Sequence, residues 1–173
     1  PPAMDVLYWN TDTTRLPRAM HSFYLRNCYV KNALAQRGGI TIGGHPIDLR
    51  RITQPLYAVG SDEDHITPWR GTFKTCTLVS GPARYALSTS GHILGIINPP
   101  VSPPKRAYWV GDWNGETDGK EWRGQHQQVP GSWWQDWTRW LSKQCGPLQA
   151  PPPTATKEYP ALAPAPGTYV LEH

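Results

Sequence analysis

The chain has 173 residues, of which 38% are hydrophobic, and a formal net charge of +4. This length allows one domain with a hydrophobic core, and no apolar run is long enough to cross a membrane. Lys and Arg are scattered along the chain, without the basic stripe or aromatic motif of nucleic-acid-binding proteins, so binding to nucleic acid is not expected.

The first 47 residues predict a small subdomain that packs against another part of the protein. Residues 5–9 form a short, largely apolar segment that leads into the polar turn of residues 10–14. Beyond Pro17, apolar residues recur at helical spacing and predict an amphipathic helix that ends at Gly38-Gly39. Residues 40–47 then predict a hairpin. Because such a piece cannot bury both of its faces alone, we expect it to form a cap.

A strand, a helix and a second strand are predicted next. Residues 54–59 and 83–87 are the two strands, and a helix is expected from about 69 to 79. This order predicts a parallel pair with a right-handed crossover. Since two parallel strands do not make a stable sheet, we expect further strands to lie upstream or in another chain.

The following part is rich in Trp, Pro and Gly. Residues 101–131 predict a loop, and Ser132 predicts the N-cap of a last helix. In that helix Trp133, Trp137 and Trp140 share one face, and we expect these rings to belong to the core. The alternative is an exposed apolar surface that contacts a greasy polymer or a partner.

The two ends of the chain carry no catalytic motif. Residues 146–167 are rich in Pro and Ala and predict an extended tail. The last three residues, Leu171-Glu172-His173, resemble the remnant of an expression tag. The chain begins with Pro1 instead of Met, which favours an internal start within a longer, processed or nicked polypeptide.

The loops after the two predicted parallel strands carry an acid and a base. Asp64 follows the first strand and His92 follows the second. The carboxyl ends of parallel strands meet at one edge of a sheet, so we expect the two side chains to lie together as part of a nucleophilic triad. His65 is the rival base, but it adjoins Asp64 and is expected to point away, in a supporting role. Asp62 and Glu63 are predicted to be solvated.

The sequence holds no nucleophile for this pair. A G-x-[SC]-x-G elbow is absent, and Cys28 and Cys76 lack flanking glycines, so we interpret both as small buried residues and Cys145 as incidental. Three cysteines without C-x-x-C spacing predict neither a disulfide framework nor a zinc site, which favours a reducing cytoplasm. We therefore expect the chain to be part of a larger enzyme.

Seven segments of the chain resemble the C-terminal portion of the catalytic domain of class I polyhydroxyalkanoate synthases, the enzymes that make poly-3-hydroxybutyrate and related polyesters. These segments are Asp5–Asn10, Phe23–Asn27, Pro46–Leu49, Ser61–Trp69, Ser90–Ile93, Ile97–Pro100 and Gly131–Trp137. The resemblance extends from Pro2 to Val170. It is far more specific than a general hydrolase signal.

The resemblance implies an α/β class protein, the last core strands and helices of an α/β-hydrolase fold with a cap subdomain. A catalytic Cys upstream of Pro1 would attack the thioester of an (R)-3-hydroxyacyl-CoA. His92 would be the general base, and Asp64 would orient His92 or help to activate the 3-hydroxyl of the incoming monomer. Trp9 matches a family Trp near the cap and the substrate channel. No metal or redox cofactor is implied, because the CoA thioester is the substrate.

The family also implies an organisation for the chain. Residues 1–9 would be a core strand and the entry to the cap, residues 10–51 the cap, residues 52–145 the C-terminal part of the core and residues 146–170 the tail. The implied partners are the growing polyester, the N-terminal part of the enzyme with its Cys, and a second copy in a homodimer formed through the cap. The implied location is the cytoplasm, at the surface of the polyester granule.

Two other functions remain open at this stage. An esterase or polyester depolymerase of the same fold would use water as acceptor and usually a Ser nucleophile, so the upstream elbow would distinguish it. A non-catalytic granule-binding module would instead use the Trp-rich helix as an apolar surface.

Overall fold

The computed structural model of the chain describes residues 11, 13–165, 167, 168 and 171. These residues form two compact units that divide between Thr138 and Arg139. The predicted first strand and Trp9 lie outside the described residues. Within the part that the structure describes, no helix combines the length and the apolar character that a membrane span requires.

The predicted first helix is present but shorter than expected. Helix α1 covers Arg18–Tyr24 and continues as a π-helical segment, Leu25–Val30. Asn32 then adopts the left-handed conformation with φ of 46°, so the helix is over before the two glycines are reached. Neither helical segment contains a buried residue, although both are rich in large apolar side chains. The large apolar side chains of these two segments are therefore not buried by the described residues.

The predicted hairpin is confirmed. Strands β1, Ile40–Ile42, and β2, His45–Ile47, pair in antiparallel fashion. Gly43 and Gly44 form the turn with φ of 57° and 81°, values that glycine adopts without steric cost.

The predicted strand, helix and strand are also confirmed. Strand β3 covers Leu56–Ser61 and strand β4 covers Ala83–Ser88. The two strands are parallel and in register along their whole length. The crossover contains helix α2, Trp69–Phe73, followed by a 3₁₀ turn, Lys74–Thr77.

The prediction of a loop over residues 101–131 is wrong. This stretch contains strand β5, Ala107–Asp112, helix α3, Gly119–Gln125, and strand β6, Val129–Pro130. The sheet has the order β3-β4-β5-β6, and its last two strands are antiparallel. The chain therefore supplies two of the strands that we expected elsewhere. On the other side, β3 has no neighbouring strand among the described residues.

An aromatic core lies between the sheet and helices α2 and α3. Trp122 of α3 is 1% exposed, and its ring lies edge-on to Tyr85 and tilted against Phe73. Such aromatic pairs add to the stabilisation that comes from their buried area. A residue from the predicted loop thus belongs to the centre of the core.

The last helix begins where the sequence predicts, but its tryptophans are not in the core. Helix α4 covers Trp133–Ser142, and the Ser132 hydroxyl accepts a hydrogen bond of 3.1 Å from the amide of Trp134. Trp137 is 38% exposed, and Trp133 and Trp140 are only partly buried. The expectation that these rings are core residues is therefore wrong.

The residue that α4 buries is a carboxylate, Asp136, which binds the sheet. Arg84 of β4 donates to its two oxygens from Nε at 2.8 Å and Nη2 at 2.9 Å, and the Tyr57 hydroxyl donates at 3.0 Å. Burial, with the neighbouring Asp136 carboxylate, raises the pKa of Tyr57 above its usual range, so this hydroxyl remains a donor. The start of α4 is thus held by charge-assisted hydrogen bonds.

Asp136→Ala is expected to destabilise the protein by about 3 kcal/mol, because it leaves the largely buried Arg84 guanidinium with unsatisfied donors. The matched control is Asp112→Asn, which breaks the 2.8 Å ion pair of the same Arg84 with a carboxylate that is 78% exposed. That change should cost less than about 1 kcal/mol. Urea unfolding of both variants measures the difference, and equal losses would contradict a special role for Asp136.

The C-terminal unit has little regular structure. After the end of α4, residues 146–165 contain neither helix nor strand. A local turn joins Thr156 and Tyr159 through hydrogen bonds of 2.9 and 3.0 Å.

Candidate active site

The loops that follow β3 and β4 are bound to each other along their backbones. The amide of Asp62 donates to the carbonyl of Ser88 at 2.8 Å, and the amide of Glu63 donates to the carbonyl of Ser90 at 3.1 Å. The two loops therefore extend the parallel pairing beyond the sheet. Their side chains start from fixed backbone positions.

Close packing under these loops requires a glycine. The Ser61 hydroxyl donates to the carbonyls of Ser90 and Gly91. A Cβ atom on Gly95 would lie 1.8 Å from that hydroxyl oxygen, so no larger residue fits there without rearrangement. The segment that follows His92 is thus packed directly on the end of β3.

The structure brings together the predicted acid and base. Nδ1 of His92 lies 2.8 Å from Oδ2 of Asp64. The carboxylate is buried, with 4% of its side chain exposed, whereas the imidazole is 43% exposed. A buried acid that holds a more accessible imidazole is the arrangement of the last two members of a nucleophilic triad.

The Asp64 carboxylate is held by its own loop as well as by His92. Oδ1 accepts hydrogen bonds from the amides of Ile66 at 2.9 Å and Thr67 at 2.8 Å, and Oδ2 accepts from the Thr67 hydroxyl at 2.6 Å. Burial by itself would raise the pKa of this carboxyl. The bonds from Thr67, His92 and Ile66 outweigh burial and hold the pKa of Asp64 well below its usual range. Asp64 is therefore ionised at neutral pH.

This geometry selects one tautomer of His92. An ionised carboxylate accepts hydrogen bonds only, so the neutral ring places its proton on Nδ1 and leaves Nε2 as a free base. Nε2 has no hydrogen-bond partner among the residues that the structure describes. The ring can accept a proton from a nucleophile supplied on that side.

Thr67 is a site residue that the sequence reasoning missed. Its hydroxyl and amide both bind Asp64, and the hydroxyl oxygen lies 3.5 Å from Nδ1 of His92. The spacing Asp-x-x-Thr is a local signal for such a turn, since an Asp side chain often accepts from amides two and three residues further on.

The segment between β3 and α2, residues 62–68, is called the acidic loop here. The charged neighbours of Asp64 in this loop differ in exposure and in hydrogen-bond partners. His65 and Glu63 are exposed, and His65 makes no hydrogen bond to Asp64. Asp62 is not solvated as expected, because both of its carboxylate oxygens accept hydrogen bonds from Arg123 of α3 at 2.8 Å. The prediction that Asp62 and Glu63 are both solvated is therefore correct only for Glu63.

The three cysteines differ in environment. Cys76 is fully buried in the aromatic core, and burial raises the pKa of its thiol to about 11, which makes it a poor nucleophile. Cys28 is partly buried and Cys145 is exposed. Across the described part of the chain, no cluster of three or more His, Cys, Asp or Glu side chains is arranged to hold a metal ion.

Comparison with known proteins identifies relatives along nearly the whole chain. It is 41% identical over 172 residues to poly(3-hydroxyalkanoate) polymerase 2 of Ectopseudomonas oleovorans and 42% identical over 171 residues to the poly(3-hydroxyalkanoate) polymerase subunit PhaC of Cupriavidus necator. It is 41% identical over 175 residues to the poly(3-hydroxyalkanoate) polymerase of Methylorubrum extorquens. The predicted resemblance is thereby confirmed.

These similarities cover 98–99% of this chain but only 28–30% of each relative. The chain thus spans less than a third of the length of the relatives that it matches. No protein-family model matches the chain.

Proposed function

We propose that this chain is part of a polyester polymerase that transfers (R)-3-hydroxyacyl groups from CoA thioesters to a growing polyhydroxyalkanoate chain. The observation that carries the proposal is the 2.8 Å contact between His92 and Asp64 in a chain that is 41–42% identical to poly(3-hydroxyalkanoate) polymerases. An acyl-Cys intermediate requires a nucleophile, which a part of the polypeptide outside this chain would supply.

In the proposed first step, Nε2 of His92 takes the proton from the Cys thiol. The thiolate attacks the thioester carbon, the bond to the CoA sulfur breaks, and the CoA thiolate leaves with the proton from His92. Asp64, which the site holds as a carboxylate, fixes the tautomer of the ring and stabilises the imidazolium that forms.

In the proposed second step, a 3-hydroxyl group attacks the acyl-Cys carbonyl. His92 takes the hydroxyl proton, the new ester bond forms, and the Cys thiolate leaves and regains the proton. Asp64 either orients His92 or helps to activate this hydroxyl. His65, one residue away and exposed, is assigned a supporting role, and Trp9 is proposed to line the substrate channel.

The proposal includes the fold of the complete protein. Parallel β3 and β4, with no neighbouring strand on the other side of β3 among the described residues, suit the C-terminal part of an α/β-hydrolase core whose other strands continue beyond β3. Residues 1–9 would be a core strand and the entry to the cap, and residues 52–145 would form this part of the core. Residues 146–170 would be the tail, followed by a tag remnant.

Residues 10–51 are proposed to be the cap and the site of homodimer formation. The support is the exposure of large apolar side chains on α1 and its π-helical continuation, including Met20 at 58% and Tyr29 at 71%. Apolar surface of this extent favours a covering partner. A second copy of the enzyme, or the rest of its core, would provide that cover.

The proposed location is the cytoplasm, at the surface of the polyester granule. Exposed Trp134 and Trp137 on α4 favour contact with an apolar polymer. The same observation keeps the granule-binding module as a second candidate function, in which these rings and not His92 would matter.

The test supplies (R)-3-hydroxybutyryl-CoA to the complete protein and follows CoA release together with the acyl product. We expect CoA release to be matched by polymer and by an acyl group trapped on a Cys. Release of free 3-hydroxybutyrate with no polymer would identify a hydrolase instead. The matched control replaces the upstream Cys with Ala, and CoA release that survives this change would overturn the acyl-Cys mechanism.

A further inference from the structure

A single arginine of α3 holds the loop that carries Asp64. The Nη1 and Nη2 atoms of Arg123 donate to Oδ1 and Oδ2 of Asp62, each over 2.8 Å. Asp62 directly follows β3 and lies two residues before Asp64. Two parallel hydrogen bonds from a planar guanidinium fix direction as well as distance. The ion pair therefore restrains the orientation of the loop.

Arg123 is itself held in place by its surroundings. Its guanidinium carbon lies 4.2 Å from the ring centroid of Trp109 on β5 and 6.0 Å from that of Trp69 on α2. The preceding residue, Trp122, is 1% exposed in the core, and a capping box stabilises the first turn of α3. The arginine thus connects the acidic loop to a rigid part of the molecule.

The acidic loop has two attachments of different kinds. On the side of His92, backbone hydrogen bonds join Asp62 to Ser88 and Glu63 to Ser90. On the side of α3, the attachment is the Arg123 side chain. Loss of the side-chain attachment leaves the backbone bonds in place, so the loop should stay folded. The bonds that Asp64 accepts from Ile66 and Thr67 come from the same loop, so its carboxylate should shift relative to His92 together with that loop.

We propose that Arg123 and Asp62 are positioning residues that hold the Asp64 carboxylate against Nδ1 of His92 in the productive orientation. Neither residue needs to reach the reacting atoms, since both act through Asp64. The expected decrease in kcat rests on the proposed function, because kcat depends on the Asp64–His92 contact only if His92 acts as the base. The expected change at the His92 ring does not depend on any reaction.

The test uses the complete protein with Asp62→Asn, Arg123→Met and the double variant. Methionine keeps an apolar stem over Trp109 but has no donor. Each single variant should lower kcat by about tenfold to a hundredfold, with KM within about twofold of wild type. The double variant should be no slower than the slower single variant, because both changes break one interaction. Asp112→Asn, which breaks an ion pair elsewhere in the sheet, should leave kcat unchanged.

A second measurement separates this proposal from the proposed function. ¹⁵N spectra of the complete protein, recorded at a pH at which the His92 ring is neutral, should show the Nδ1–H tautomer in wild type and in Asp112→Asn. The Asp62 and Arg123 variants should show a mixture of tautomers. A wild-type protein without polymerase activity would contradict the proposed function, while these spectra would still test the positioning role.

Two results would overturn the positioning role. One is wild-type kcat with unchanged His92 spectra in both single variants. The other is slower turnover that follows a lower melting temperature, with the His92 tautomer unchanged, since that pattern describes a purely structural ion pair. Should Arg123→Met fail to fold, Arg123→Lys, which keeps the charge but loses the bidentate geometry, takes its place with the same expected loss.

Discussion

His92→Ala in the complete protein is expected to lower the rate of acyl-enzyme formation by about 10²–10⁴-fold, because the thiol loses its proton acceptor. The measurement is rapid trapping of a labelled acyl group on the upstream Cys after mixing with a labelled hydroxyacyl-CoA. Lys157→Ala, at an exposed position outside the proposed cap and core, is the control and should be acylated at the wild-type rate.

Three outcomes would contradict the assignment of His92 as the base. Normal acylation of His92→Ala would remove its proposed role. If His65→Ala were inactive while His92→Ala was not, the exposed neighbour of Asp64 would be the base. Full polymer synthesis by His92→Ala, together with binding of the isolated chain to polyester, would favour the granule-binding module.

Asp64→Asn is expected to slow chain elongation more than the first acylation. The Asn amide can place a donor where Oδ2 accepts from His92, so the imidazole loses its preferred tautomer. A Cys thiol is partly ionised near neutral pH without help, but a 3-hydroxyl group is not. The step in which the hydroxyl attacks should therefore be slowed by at least about tenfold more than the step in which the thiol attacks.

Separate measurement of the two steps decides this prediction. Single-turnover trapping reports acylation, and the growth of polymer length with time reports elongation. Glu63→Gln is the matched control, because it neutralises the exposed carboxylate next to Asp64 and should change neither rate. Equal slowing of both steps by Asp64→Asn would limit Asp64 to orienting His92.

The parts of the fold that depend on local pattern were predictable. The apolar runs of β3 and β4 locate both strands to within two residues, and their parallel order places Asp64 and His92 at one edge of the sheet. The sequence therefore predicts the acid and base pair without knowledge of any side-chain position. Thr67 was within reach of the same reasoning, because its bond to Asp64 is local.

The parts that depend on distant contacts were not predictable. Glycine, proline and polar residues around β5 and α3 favour the prediction of a loop. The burial of Trp122 of α3 in the core, which stabilises this region, depends on residues distant in the sequence. Arg123, the partner of Asp62, is 61 residues away in the sequence, so no local pattern around Asp62 predicts this ion pair. Helical spacing shows that the tryptophans of α4 share a face, but it cannot show whether anything covers that face, and Trp137 is exposed.

The open side of β3 has a thermodynamic consequence. Every second residue of Leu56–Ser61 directs its N–H and C=O away from β4, and no strand within the described residues pairs with them. Such a row readily pairs with any free strand that it meets, including the same row on another molecule. Slow hydrogen exchange at the outward-facing amides of β3 would show that a segment outside the described residues covers this edge, and exchange that slows as the protein concentration rises would show that two copies pair through it.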